Sequence, residues 1–463
     1  MYKWTYCIVY FCIIFSFTEY SWAHNFQTEA RKKVTVTLFQ WPFDSVAKEC
    51  PMLAKTGYGY VEISPVQEHI RGPQWWTSYQ PVSYQIAGRL GDESALKNMI
   101  AQCHAAGIKV IADVVVNHMT RGYGVGTNGT RYSKYDYPGT YQIQDFHWCR
   151  SNIDDYSNRD NVQNCELDSL ADLDTGSDYV RGTIASFLNH LIDLNVDGFR
   201  VDAAKHISAD DLGAIRARLK KNSFWVQEVI YSEGEAIHPL EYRHLGDLDE
   251  FRYGRDLKRI FEREKLAYLK SFGESWGYLP GEIARSFIDN WDTERNNSTL
   301  TYKDGENYLL ANIFMLAHPY GSPNVYSGYR FNHIDAGPPL TKVCSKDWVC
   351  QHRFPAIANM VKFYNAVFNT PLNDWWTNEG NAIAFGRGDK GFLVINHEEF
   401  AITETFKTSL PAGVYCDVIH GNLDLRGNCT AETYQVDEKG RFTARIEAND
   451  ALAIYVAEIA PSH

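Results

Sequence analysis

The sequence predicts an α/β protein: a (β/α)8 TIM barrel with an inserted subdomain after its third strand, followed by a C-terminal antiparallel β-sandwich. Three observations carry that expectation. From about residue 33, eight β-rich runs alternate with amphipathic helical stretches. Between Asn117 and Asp172 the periodicity lapses into a polar, Tyr- and Asn-rich segment too long for an ordinary barrel loop, so it reads as an insertion. After about residue 376 the helical pattern stops, and short strands broken by turns such as Asp437-Glu438-Lys439-Gly440 take over. The expected boundaries are a signal segment over 1–23, a barrel domain over 24–376 with its insert at about 118–172, and a sandwich over 377–463.

At the N-terminus Lys3 precedes an apolar run that ends near Phe17, and Ser21-Trp22-Ala23 fits a small-x-small cleavage site. The run is short for a membrane span and is followed by Glu19, so residues 1–23 read as a removed signal peptide and the protein as secreted. Eight strands are then expected: 33–39, 59–64, 109–116, 198–204, 224–230, 250–254, 285–291 and 324–329. Two helices are clear between them. Leu96, Met99, Ile100 and Cys103 share one face of 93–107; Ile184, Phe187, Leu188, Leu191 and Ile192 share one face of 181–195. A doubly wound sheet competes with the barrel, but it usually carries a glycine-rich phosphate loop after its first strand, and QWPF at 40–43 is not one.

Hydrophobic residues make up 44% of the chain and charged ones 22%, as in ordinary globular proteins. The formal charge of −12 argues against nucleic acid or an anionic membrane surface as partner and suits a neutral or cationic ligand. With 12 Trp, 29 Tyr and 24 Phe, rings are available to stack on sugar faces, although most must belong to the core. A monomer is expected. Once the signal segment is removed, Cys50, Cys103, Cys149, Cys165, Cys344, Cys350, Cys416 and Cys429 remain, an even set that suggests disulfides in a secreted chain. Their count alone allows on the order of a hundred pairings. Sequons at Asn128, Asn296, Asn297 and Asn428 agree with secretion.

Catalytic groups of a barrel cluster at the C-terminal ends of its strands. Four predicted strand ends carry polar residues in apolar surroundings: Asn117-His118, Arg200 with Asp202, Glu228, and Asp289 to Asp292. Strand period puts Arg200 and Asp202 on one face, where the guanidinium is expected to keep the Asp202 carboxylate ionised. Glu228 and Asp292 should converge on the same mouth, where repulsion and desolvation raise the pKa of one of them. One ionised and one protonated carboxyl is the equipment for cleaving a glycosidic bond.

The blocks DVVVNH (113–118), GFRVDAAKH (198–206), QEVI (227–230) and FIDNWD (287–292) resemble the four sequence blocks of the α-amylase family of glycoside hydrolases, in particular secreted animal-type members. The resemblance continues through WWTSYQPVSYQI (75–86), FMLAHPYG (314–321), DWVCQHRF (347–354) and AFGRGDKGF (384–392), and so spans nearly the whole mature chain. It implies an endo-acting, retaining hydrolase of internal α-1,4 bonds in α-glucans. Asp202 would be the nucleophile, Glu228 the general acid/base, and Asp292 a third carboxylate holding sugar hydroxyls. His118 and Arg200 match the same subsite. Trp75, Trp76 and Tyr79, with Gln80 beside them, match an aromatic platform, and Lys205 and His206 match the leaving-group side. One structural calcium is implied at Asn117 and Asp172 with backbone carbonyls of Gln163 and His206, a hard-oxygen set. The implied disulfides are Cys50–Cys103, Cys149–Cys165, Cys344–Cys350 and Cys416–Cys429.

Three departures stand out. The family's Asn-His-Asp is Asn290-Trp291-Asp292. TERNNSTLTYKDG (293–305) replaces a glycine-rich mobile loop. Chloride-dependent members hold the anion with two cationic side chains and an Asn; Arg200 and Asn290 match, but Asn324 stands in the third position, so chloride is not expected to be required. Trp291 keeps open an exo-acting α-glucosidase or a transglycosylase. A glucan-binding paralogue with little turnover is a third reading.

Overall fold

Eight parallel strands close on themselves in chain order: β1 Thr35–Leu38, β2 Tyr60–Ile63, β3 Lys109–Val114, β4 Gly198–Val201, β5 Phe224–Gln227, β6 Asp247–Asp249, β7 Ala284–Ser286 and β8 Ser322–Ser327, with β8 pairing back onto β1. The computed structural model describes residues 33–424 and 426–460, so the expected signal segment lies outside the described residues. Parallel neighbours need crossovers. The main helices are α1 Phe43–Thr56, α2 Glu93–Ala105, α3 Asp178–Asp193, α4 Ala209–Arg216, α5 Phe251–Arg263, α6 Glu306–Ala317 and α7 Pro355–Val367. The apolar faces expected on α2 and α3 are the buried ones, and the Asp92 carboxylate caps α2 by accepting from Ala95 N. No helix among the described residues is long and apolar enough to cross a membrane.

The sixth strand is displaced from its expected position at 250–254. It occupies Asp247–Asp249, and EFRYG instead opens α5. The Glu250 side chain accepts from Arg252 N at the helix start, and Leu257, Ile260 and Phe261 continue a buried helical face, so capping and period outweigh the β-rich composition. Within α5, Gly254 permits close packing: a Cβ there would lie 2.4 Å from Ile288 O. That contact seats the segment after β7, which carries Asp292.

The insert contains a hairpin of strands Tyr123–Val125 and Arg131–Ser133 and a helix Arg159–Asn164. It returns to the barrel through a bridge between His118 and Asp172. Beyond the barrel, β9 Leu372–Thr377, β10 Ala382–Arg387, β11 Gly391–Asn396 and β16 Asp450–Tyr455 form one antiparallel sheet. β12 Ile402–Lys407 pairs with β15 Arg441–Ile446, and β13 Gly413–Cys416 pairs with β14 Thr433–Val436. Residues alternate exposed and buried along β15, and Phe392, Phe406, Tyr415 and Phe442 build a core separate from the barrel's. All four implied disulfides are present. Cys50–Cys103 joins α1 to α2, Cys149–Cys165 lies in the insert, and Cys344–Cys350 and Cys416–Cys429 close shorter loops.

Candidate active site

Strand register sets the floor of the site. Arg200 on β4 lies opposite Asp113 on β3, and both point inward with Asp202 just beyond the strand end. The buried Arg200 Nη1 donates to Asp113 Oδ1 at 3.0 Å and to Asp202 Oδ1 at 2.6 Å, while Nη2 pairs with Glu228 Oε1 at 2.7 Å. Glu228 is placed by β5, and its Oε2 accepts from Ala203 N at 2.9 Å. Ala203 holds a left-handed φ of 48°, a conformation unfavourable for a residue with a Cβ, and it aims that N–H at the carboxylate. Tyr79 OH donates to the other Asp113 oxygen at 2.8 Å.

Asp292 follows a turn in which Asn290 Oδ1 accepts from Asp292 N at 3.0 Å and Thr293 N at 2.9 Å. Trp291 is buried. Its ring stacks on Phe39 with centroids 5.2 Å apart and planes 2° apart, and the Arg200 guanidinium lies 4.8 Å from its centroid. The replaced loop is pinned: Arg295 donates to Trp291 O at 2.8 Å, pairs with Glu294, and lies 4.4 Å from the Phe331 ring centroid.

A cleft of about 470 Å³ brings together Trp75, Trp76, Tyr79, Gln80 and His118 on one side, Lys205 and His206 on another, and Asp202, Glu228, Trp291 and Asp292. Both tryptophans are half-buried and tethered. Trp75 Nε1 donates to Ile334 O at 2.9 Å and Trp76 Nε1 to Asp335 Oδ1 at 3.1 Å. His118 Nε2 meets Tyr79 O at 3.0 Å. Lys205 pairs with Glu235 and lies 4.6 Å from the Tyr156 ring centroid. Among the residues that the sequence did not single out are Asp113, bonded to Arg200 beneath the cleft, and the cleft-lining Glu235, Tyr156 and Arg121, the last 5.6 Å from the Trp76 centroid. Asp113 carried the same signal as Arg200, a charge inside an apolar run. The other three needed the fold.

Electrostatics departs from expectation at Asp202. Burial pushes its carboxyl up to about 7; the Arg200 guanidinium opposes this and Glu228 adds to it. Arg200 therefore does not by itself keep Asp202 ionised. Burial, reinforced by Glu228, pushes Asp292 up to about 7 as well, and burial raises Asp113 well above the usual carboxylate range. Asp113, Asp202 and Asp292 all feel the one guanidinium, so their titrations are linked and they retain protons near neutrality.

The implied calcium ligands gather in two pairs. Asn117 and Asp172 are joined where Leu173 N donates to Asn117 O at 3.0 Å. On the other side Gln163 Nε2 reaches Ile207 O at 3.5 Å and His206 Nδ1 meets Val162 O at 3.1 Å. Asp172 is 3% exposed, and burial pushes its carboxyl up to about 7 even with His147 Nδ1 2.6 Å away. A buried carboxylate, an amide and two backbone carbonyls fit a hard divalent cation, which would offset that desolvation. The match expected for chloride is poorer. Arg200 Nε is buried without a partner among the described residues, but Asn324, a neutral amide, spends its Nδ2 on Thr37 Oγ1 at 2.9 Å. One guanidinium already outnumbered by carboxyls does not fit an anion.

Residues 63–228 match the profile described as alpha amylase, catalytic domain, and residues 375–457 match that described as alpha amylase, C-terminal all-beta domain. An alpha-amylase of Streptomyces violaceus is 56% identical over 431 residues, covering 92% of this chain and 74% of that protein. An alpha-amylase-related protein of Drosophila auraria is 40% identical over 471 residues, covering 94% and 95%. The crystal structure of alpha-amylase I from the earthworm Eisenia fetida superposes with a TM-score of 0.89 at 37% identity, covering 92% of this chain and 97% of that one. A point variant of the earthworm enzyme in complex with maltohexaose superposes with a TM-score of 0.87 at the same identity and coverage.

Proposed function

The chain belongs to the α-amylase family and is a glycoside hydrolase, and we propose that it is a secreted, monomeric enzyme that cleaves internal α-1,4 bonds of starch and glycogen with retention. The observation that carries this reading is the Arg200 guanidinium bonded at once to Asp113, Asp202 and Glu228 on the floor of a cleft walled by Trp75, Trp76 and Tyr79. Aromatic faces suit sugar rings, and the aligned carboxyls suit their cleavage.

In this mechanism Asp202 attacks the anomeric carbon and forms a glycosyl ester while the bond to the leaving oxygen breaks. Glu228 gives that oxygen a proton. Glu228 then takes a proton from water, which attacks the same carbon and releases Asp202, so two inversions leave the configuration unchanged. Arg200 engages one Glu228 oxygen and Ala203 N the other, which fixes the orientation of the carboxyl at the cleft. Asp292 would hold ring hydroxyls as the sugar distorts, and His118, Gln80, Lys205 and His206 would position the chain. Calcium, held by Asn117, Asp172 and the carbonyls of Gln163 and His206, would fasten the insert to the barrel and take no part in bond cleavage.

Glu228→Gln tests the reading. It should lower turnover by about 10²–10⁴-fold while maltohexaose still binds. Substantial residual turnover would assign the acid elsewhere. Trp291, stacked against Phe39 beside Asp292, supports the second reading, an exo-acting or transferring enzyme. Mixed short maltooligosaccharides from amylose support the endo reading, and glucose alone supports the exo one.

A further inference from the structure

A second cavity, about 750 Å³, lies apart from the cleft, where the inserted segment meets α2 and α3. Tyr84 and Phe187 form its aromatic part. Their rings are nearly parallel, with centroids 4.5 Å apart and planes 8° apart. Phe187 is buried on α3 and Tyr84 is half-buried, its hydroxyl accepting from Tyr141 OH at 3.3 Å, so the buried ring braces a partly accessible one as a rigid platform.

The surrounding groups suit a neutral, hydroxyl-rich ligand. Gln85 Oε1 accepts from Asn128 Nδ2 at 2.9 Å, and Gln85 Nε2 has no partner among the described residues, so it can donate. Ser94 and Thr140 add hydroxyls. Of the ionic groups, Glu93 and His190 face each other at 2.9 Å and can compensate one another, and the Asp92 carboxylate is turned to Ala95 N at the start of α2. Nothing here repeats the Arg200 cluster, so a chain held in this groove would be bound without being cut.

We propose that this groove is a second, non-catalytic α-glucan site, which anchors the enzyme to a polysaccharide whose other segments enter the cleft. The inference rests on α-glucan being the substrate. Two linked sites on one polymer raise apparent affinity without any new contact in the cleft, so the effect should be seen on granules and not on short soluble chains.

The experiment uses full-length protein made without N-glycans, since Asn128 of a sequon stands at the rim. In the Glu228→Gln background, Tyr84→Ala and, separately, Ser186→Trp should weaken adsorption to starch granules by about fivefold or more. With Glu228 intact, both should leave maltohexaose hydrolysis within about twofold of the parent. Ser186 is exposed on α3, so the tryptophan fills the groove without disturbing the Tyr84–Phe187 stack. Unchanged granule adsorption by Ser186→Trp would overturn the proposal. Absence of hydrolysis by the parent enzyme would instead overturn the functional reading, and the adsorption comparison would still stand.

Discussion

Two buried clusters of carboxylates and guanidinium share the interior of one barrel, and they differ in a way that separates structure from function. The deeper one joins Arg285 on β7 to Asp249 on β6, with Nε 2.6 Å from Oδ1 and Nη2 3.0 Å from Oδ2, and also to Glu62 on β2. Thr37 donates to Glu62 at 3.1 Å and receives Asn324 Nδ2, so its polar atoms are paired within the barrel. None of these side chains lines the cleft. One interior layer higher, Arg200 meets Asp113, Asp202 and Glu228, with Asp292 close by, and the set opens onto the cleft. The deeper guanidinium forks onto one carboxylate and reaches a second, so it faces two. The upper one faces four, and burial lifts two of them to about 7. A cluster closed within the barrel specifies how the barrel closes, whereas one crowded with carboxyls at a cleft stores protons and charge for chemistry at a cost to stability.

The difference is sharpest at Asp202. Asp202→Asn should lower turnover by about 10⁴-fold or more and raise the melting temperature at neutral pH, because it removes a desolvated charge. Steady-state assays and thermal melts of one preparation check both; loss of activity with loss of stability would mean the carboxylate is a structural partner. The lower cluster should behave in the opposite way. Arg285→Met leaves Glu62 and Asp249 buried without their cation and should cost about 3–5 kcal/mol of stability, measured by denaturant unfolding, with kcat of the folded fraction nearly unchanged.

Calcium removal comes next in size. Its implied ligands lie on both sides of the insert, so binding favours the folded state. EDTA treatment, with loss of metal confirmed by elemental analysis, should lower the melting temperature and activity together, and a melting temperature indifferent to chelation would refute the site. A smaller change is expected at Trp291. An indole donates one hydrogen bond, whereas an imidazole could reach a substrate hydroxyl, so Trp291→His should raise kcat/KM on starch severalfold. A large loss instead would show that the stack on Phe39 and the cover over Arg200 serve this chain's own substrate. The smallest effect concerns chloride. Adding it to chloride-free enzyme at constant ionic strength should leave turnover unchanged; saturable activation would show that Arg200 Nε receives an anion after all.

The upper cluster was largely legible in the sequence because charges inside apolar strand runs stand out, and Arg200, Asp202 and Glu228 did. Asp113 sat unread in DVVVNH, although it gave the same signal. The deeper cluster was not legible: Glu62 and Arg285 are 223 residues apart, and nothing local tells one that it faces the other. The three-residue β6, Asp247–Asp249, carries two carboxylates and little β propensity, so the aromatic residues of EFRYG drew the strand assignment into the start of α5. The groove beside Tyr84 depends on a helix and an insert meeting, which residue types do not announce.

The upper cluster holds more negative charge than its guanidinium balances, and stability bears the cost. The direct test is the stability difference between Asp292→Asn and the parent, measured from pH 4.5 to 8.5. A carboxyl near 3.8 when unfolded and raised to about 7 when folded binds its proton more tightly in the native state. The parent therefore loses stability as pH rises between those values, and the loss is complete above about 7. The variant lacks this penalty, so its advantage should grow with pH up to about 7 and then level off. A difference that stays constant with pH, or an advantage that shrinks as pH rises, would contradict the account.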